Sequence, residues 1–225
     1  MDNNTKTRHD HPSSHQTTSD NHHSPSSHDE GGHSHHISHS AAEWAERLDA
    51  PERDAWQKPA VLVSMLQITP GQTVADIGAG TGYFLKPLSK AVGKTGRVLA
   101  LDVEDDLIDY IRRRAERERL ENVTAVKCPF DAPSLPPSGV SCILVVNTWH
   151  HISNRIAYGR KLAEGLTPDG VLYVVDFNKD ATVGPPPEAK LAPEAVIEEL
   201  GRAGFRTQRI QEDLPEQYVI RASLP

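Results

Sequence analysis

The chain has 225 residues, room for one domain of ordinary size and a tail. Its net charge of −7 lacks the basic footprint expected of a nucleic-acid-binding domain, and no apolar run approaches the roughly 20 residues that span a bilayer. The N-terminus carries no apolar signal-peptide core, and Cys128 and Cys142 have no metal or redox spacing, so a cytoplasmic protein is the expectation.

Residues 1–40 are mostly His, Ser, Asp and Asn, with Ile37 the only large aliphatic after Met1. Such a segment buries too little surface to offset the entropy of ordering, which predicts a disordered tail. Its imidazoles, densest at His33, His35, His36 and His39, can bind divalent metals. Without fixed spacing to Cys or carboxylate they imply incidental affinity and no defined site, and no metal is expected in the core. Residues 41–225 are expected to form the domain proper, with 41–70 as a helical cover.

From Ala41 to Leu66 apolar residues recur at helical spacing, with one interruption at "DAPERDAW". "TPGQ", Thr69–Gln72, reads as a turn. Strands and helices then alternate. "TVADIG" is a strand ending in glycine, Tyr83–Val92 a helix with Pro87 in its first turns, and "GRVLALDV" a second strand. Glu104–Leu120 is a helix, acidic at its start and arginine-rich toward its end, matching the helix dipole. "NVTAVKC" is a third strand and "CILVVN" a fourth, apolar on both faces as a covered parallel strand requires. Ile156–Leu166 is helical, and "TPDG" turns into a fifth strand, "VLYVVDF". Pro193 opens a last helix that Gly204 closes. "FRTQRI" and "EQYVIRA" are too close for a parallel crossover and predict an antiparallel hairpin. The whole is an α/β chain with a mostly parallel sheet and helices on both faces.

In such a sheet, ligands bind beyond the C-terminal strand ends. "VADIGAGTGYF" places Gly78, Gly80 and Gly82 there, where bare backbone can approach a ligand. The spacing is G-x-G-x-G and not the dinucleotide G-x-G-x-x-G, and no Lys-Ser/Thr pair follows to make a P-loop. Asp76, just ahead, would repel a pyrophosphate and welcome a cation; S-adenosylmethionine carries an ammonium and a sulfonium and no phosphate. Asp102, ending the second strand, is placed for both ribose hydroxyls, or else caps the next helix. Asp131, after the third, is placed for an adenine amino group with Phe130 and Ala132 beside the ring, or else is a turn residue.

These segments resemble the class I S-adenosylmethionine-dependent methyltransferases. "VADIGAGTGYF" is similar to their first motif, "VLALDVEDDLI" to their second, and "DAPSLP" to their adenine-side segment. "CILVVNTWHHI" resembles the fourth strand of the small-molecule branch, often called type 11 or UbiE-like. The likeness runs from about Pro51 to Ala222. It implies a Rossmann-like sheet of seven strands in the order 3-2-1-4-5-7-6 with strand seven antiparallel. It implies S-adenosylmethionine as cofactor, held by Asp76, Gly78, Ala79, Gly80, Gly82, Asp102, Val103, Phe130, Asp131 and Ala132, with Asn147 touching it or shaping the loop. One departure is Cys142, where the family usually carries an acidic residue.

Methyl transfer requires alignment of nucleophile, methyl carbon and sulfur, and a protic acceptor also needs a base. His150 and His151, just past strand four, are the candidates, since imidazole titrates near neutrality. Arg53, Trp56, Gln57 and Trp149 are candidates for reaching the cofactor carboxylate or lining the acceptor site. The Pro-rich loop Asp176–Lys190 is a candidate cover for that site. The expected partner is a small-molecule acceptor, with neither nucleic acid nor membrane. The rival readings are a nicotinamide oxidoreductase on a similar sheet and a metal-binding or metal-sensing protein whose working part is the tail.

Overall fold

The computed structural model describes residues 41–211 and 214–225. The expected disorder of residues 1–40, and metal affinity at His33, His35, His36 and His39, lie outside the described residues. One seven-stranded sheet carries the domain: β1 (Thr73–Ile77), β2 (Arg97–Asp102), β3 (Val123–Lys127), β4 (Val140–Val146), β5 (Leu166–Phe177), β6 (Arg206–Ile210) and β7 (Gln217–Ser223). Its order is β3-β2-β1-β4-β5-β7-β6, the order that the resemblance implied. β7 runs antiparallel to both β5 and β6, and all other pairs are parallel.

The helices are α1 (Ala41–Leu48), α2 (Arg53–Gln57), α3 (Pro59–Met65), α4 (Leu85–Val92), α5 (Asp105–Arg117), α6 (Arg155–Gly165) and α7 (Pro193–Ala203), with one 3₁₀ turn at Trp149–His151. β4 shows why the sheet is covered twice. Ile143 and Val145 pack on one face with Leu162, Val196 and Leu200 of α6 and α7. Leu144 and Val146 pack on the other with Leu62, Leu85, Leu88 and Ile111 of α3, α4 and α5. The chain crosses from one face to the other between β1 and β4. That is the switch point of the topology, and it places the glycine loop and the end of β4 side by side.

Several expected boundaries are corrected. The helix expected over Tyr83–Val92 starts at Leu85, because residues 78–84 are spent in the turns of the glycine loop. The helix expected over Glu104–Leu120 spans Asp105–Arg117. The single break expected within Ala41–Leu66 becomes two: Lys58 takes φ 43 ahead of Pro59, a left-handed conformation that ends α2 where a following proline disfavours continuing helix. "TPDG" does not stand apart from strand five. Leu166 pairs with Val140 and Val171 with Cys142, so residues 167–170 bulge out between these two rungs.

Candidate functional site

The loop after β1 is backbone held open. Gly78, Gly80 and Gly82 have φ of 68, 58 and 79, all in the left-handed region that other residues avoid. A Cβ on Gly78 would lie 2.4 Å from Thr148 Oγ1, in the loop after β4. The Ala79 amide donates to the Leu101 carbonyl at 2.9 Å, and the Gly80 amide donates to Asp102 Oδ2 at 2.8 Å. Asp102 Oδ1 accepts from the amides of Val103 and Glu104 at 2.8 and 3.1 Å. Asp102 therefore ties the glycine loop to the residues that lead into α5; the N-cap of that helix is Glu104 and not Asp102, which corrects the capping alternative.

Asp76 lies beneath this loop, 2% exposed, and its Oδ2 has no hydrogen-bond partner. Burial pushes its carboxyl up to about 7; the Arg53 charge pulls it down and the Asp102 charge pushes it up. Burial also raises Asp102, against the pull of its three amide donors.

A cover formed by α1, α2 and the turn between them closes over the loop. Asp49, at the end of α1, accepts from Thr81 Oγ1 at 2.9 Å and from Arg114 Nη1 at 3.0 Å, and Arg114 also donates to the Thr81 carbonyl at 3.1 Å. Leu48 Cδ1 comes within 3.1 Å of where a Gly80 side chain would begin. On α2, Arg53 donates from Nη1 to the Leu48 carbonyl at 2.8 Å and from Nη2 to Gln57 Oε1 at 3.2 Å. Its guanidinium stacks 4.0 Å from the Tyr83 ring centre, and burial lowers its pKa from the ordinary value. Its Nε is enclosed without a partner.

Three side-chain amides lock α2 to the sheet in a closed ring. Gln57 donates to Gln217, Gln217 donates to Asn147, and Asn147 donates back to Gln57 at 3.1 Å. Gln57 and Gln217 are buried. Asn147 adopts φ 53, which its residue type tolerates, so that its side chain turns back over the sheet end. Trp56 lies 5.8 Å from Phe177, ring centre to ring centre.

Past β4, His150 and His151 have ring centres 4.1 Å apart. His150 Nδ1 is 2.8 and 3.1 Å from the two oxygens of Asp176, at the end of β5. His151 is exposed. Trp149 is not at the site. Its indole is fully buried in the core and donates to Glu199 of α7 at 2.9 Å, because the 3₁₀ turn sends successive side chains in different directions. On the far side of the loop Phe130 and Asp131 are exposed, and Lys161 of α6 lies 3.5 Å from the Asp131 carboxylate. Ala132 is partly buried beside them, and Val103 packs against the core. Cys142 and Cys128 are buried, with thiols pushed up to about 12 and about 11 by burial. The loop beyond β5 folds back on itself through Lys190, which is buried and donates to the Ala181 carbonyl.

Sequence reading missed Asp49, Arg114, Asp176 and Gln217. The signal for two of them was topological: β5 neighbours β4, and an antiparallel β7 brings its first residue to the C-terminal ends of the parallel strands.

Asp76 gives a pH dependence with a defined sign. The unfolded group ionises near ~3.9, whereas the folded one ionises at about 7. Between these values the folded chain holds the extra proton, so this contribution to stability is complete at low pH and is lost as pH rises through the folded value. Urea unfolding from pH 5 to 8 is expected to show a falling component that Asp76→Asn removes; an identical slope in the variant would refute the assignment.

A family model described as a methyltransferase domain matches residues 74–170. The ubiquinone/menaquinone biosynthesis C-methyltransferase UbiE of Hydrogenovibrio crunogenus is 29% identical over 125 residues, 55% of this chain and 48% of that protein. UbiE of Enterobacter sp. (strain 638) is 30% identical over 110 residues, 48% of this chain and 44% of its own length. The match thus spans about half the length of these curated relatives. A crystal structure of a SAM-dependent methyltransferase from Aquifex aeolicus superposes with a TM-score of 0.77 at 28% identity, covering 82% of this chain and 98% of that one. With the 3-2-1-4-5-7-6 sheet and the carboxylate-ringed glycine loop already in place, these likenesses support one identification: the chain carries a methyltransferase domain, matched over residues 74–170, on the fold of the class I S-adenosylmethionine-dependent methyltransferases.

Proposed function

We propose that this protein transfers a methyl group from S-adenosylmethionine to a small-molecule acceptor. One observation carries the reading. Under the cover, a buried acceptor, Asp76 Oδ2, and a buried donor, Arg53 Nε, are both left without partners. Buried polar atoms are ordinarily satisfied, and a pair of opposite character fits the ammonium and carboxylate of a methionine moiety. The bare backbone of Gly78, Ala79, Gly80 and Gly82 suits the nucleoside side of the same ligand, and Val103, Phe130, Asp131 and Ala132 lie toward its base.

When bound, S-adenosylmethionine supplies a methyl group already activated by the sulfonium. The work of the chain's own residues is then to hold and orient. Asp76 and Arg53 fix one end of the ligand, and Asp102 keeps the loop in its open form. Arg53, Trp56 and Gln57 close α2 over the site and exclude water, with Asn147 joining that closure to β4. His150 and His151 stand where a proton from the acceptor can be received.

A nicotinamide cofactor is disfavoured by the same atoms, since its diphosphate would meet the Asp76 carboxylate. Among the described residues no group of three His, Cys, Asp or Glu is arranged to hold a metal ion, and no described helix is long and apolar enough to cross a membrane. The acidic net charge favours a small acceptor over nucleic acid, and we place the protein in the cytoplasm. Calorimetric titration tests the reading. Micromolar or tighter binding of S-adenosylmethionine and S-adenosylhomocysteine is expected, with none of NAD, and deletion of residues 1–40 is expected to leave that affinity unchanged. Binding of NAD alone would overturn the reading, and loss of affinity with the tail would return the tail to the centre of the function.

A further inference from the structure

We propose that Asp176 is a positioning residue that holds His150 as the Nδ1–H tautomer, leaving Nε2 to take a proton from the methyl acceptor; the proposal rests on the methyltransferase reading. Asp176 has a side chain only 1% exposed. It is fixed by the Phe177 amide, which donates to Oδ1 at 2.9 Å, and by the His150 amide, which donates to Oδ2 at 3.3 Å. Those two bonds suffice to anchor the backbone. The ring contact at 2.8 Å adds a constraint that anchoring does not need. An ionised carboxylate only accepts, so Nδ1 must carry the hydrogen, and in a neutral imidazole Nε2 is then bare.

With Nδ1 turned to the Asp176 carboxylate, Nε2 is the ring nitrogen left for another partner. The rings of Trp56, Phe177, His150 and His151 form a continuous row from the cover to the end of β4. The titratable groups around His150 are Asp176 on β5, His151 on the same turn, and Tyr218, which pairs with Asp176 from β7.

The step balances. The acceptor proton passes to Nε2 as the attacking atom bonds to the methyl carbon, the carbon–sulfur pair remains on sulfur, and the imidazolium later returns its proton to solvent. Such a dyad serves an acceptor whose attacking oxygen or carbon must shed a proton, in contrast to an amine, which attacks through a free lone pair. A carboxylate-to-amide change at an imidazole's partner leaves the geometry intact while releasing the tautomer.

The test uses the full chain labelled with ¹⁵N-histidine and saturated with S-adenosylhomocysteine, with His150→Gln to assign the signal. At pH 8, wild type is expected to show protonated Nδ1 and bare Nε2. Asp176→Asn is expected to show mixed or reversed tautomers, and Asp176→Glu to restore the wild-type form. Methyl-³H transfer into a fractionated small-metabolite extract is expected to label neutral or anionic products, and Asp176→Asn to lower that label by ~10²-fold or more with ligand affinity unchanged. A wild-type proton on Nε2, or a tautomer indifferent to Asp176→Asn, overturns the role of Asp176. Label confined to methylated amines, or absent from every fraction, overturns the acceptor class. Failure to bind S-adenosylhomocysteine would instead defeat the methyltransferase reading and leaves the tautomer result to stand by itself.

Discussion

Asp76→Asn is expected to weaken S-adenosylhomocysteine binding and, in the ligand-free protein, to leave stability unchanged or raise it. A hydrogen bond to a charged group contributes ~1.5–3 kcal/mol, which corresponds to roughly 10- to 150-fold in affinity. Asparagine also presents an N–H where the ligand's ammonium needs an acceptor, which puts the expected loss toward the upper end. The stability effect has the opposite sign because wild type carries the cost of a buried carboxylate that burial has pushed up to about 7. An uncharged side chain of the same size removes that cost. Calorimetry for binding and thermal melts for the ligand-free chain read the two effects separately. A variant that binds as tightly as wild type would remove Asp76 from the cofactor site, and one that melts well below wild type would make it a structural carboxylate.

Gly78→Ala is expected to cost stability as well as binding. Its φ of 68 is unfavourable for an L side chain, and the added Cβ meets Thr148 Oγ1 at 2.4 Å. Left-handed strain costs ~1–2 kcal/mol and overpacking ~1–3 kcal/mol, so urea unfolding should register a loss of about 2–5 kcal/mol. The double variant Gly78→Ala, Thr148→Ala is expected to recover the packing share and not the strain share. Gly201 is the control: it lies inside α7, outside the left-handed region and with nothing within 4 Å of a built Cβ. Gly201→Ala should stabilise by ~0.4–1 kcal/mol through the unfolded state. Equal effects at positions 78 and 201 would show that the loop conformation is not specifically required.

The architecture was legible because each strand declared itself by composition and each glycine or proline by geometry. "CILVVN" is apolar on both faces, and β4 is buried on both; the short link after "FRTQRI" allowed only the hairpin that β6 and β7 form. Where periodicity misled, a local conformation took precedence: the left-handed Lys58 divided one expected helix, and the turns of the glycine loop delayed another by two residues. The site was legible only along the chain. Asp76 and the three glycines are contiguous in sequence, so one motif exposed them. Asp176 meets His150 only because β5 lies against β4, and Gln217 meets Asn147 only because β7 enters from the opposite direction. Trp149 and His150 are adjacent in sequence but face different environments, a distinction set by a single turn of 3₁₀ helix.

Two of the attachments of the cover differ in chemistry. At α2 the fastening is a ring of neutral amides, two buried and one partly so, indifferent to dissolved ions. At the end of α1 it is a carboxylate–guanidinium contact, Asp49 to Arg114, with 24% and 17% of those side chains open to water. Ionic strength weakens contacts of the second kind and spares the first. Raising the salt concentration is therefore expected to loosen the cover at Asp49 before it loosens the cover at α2.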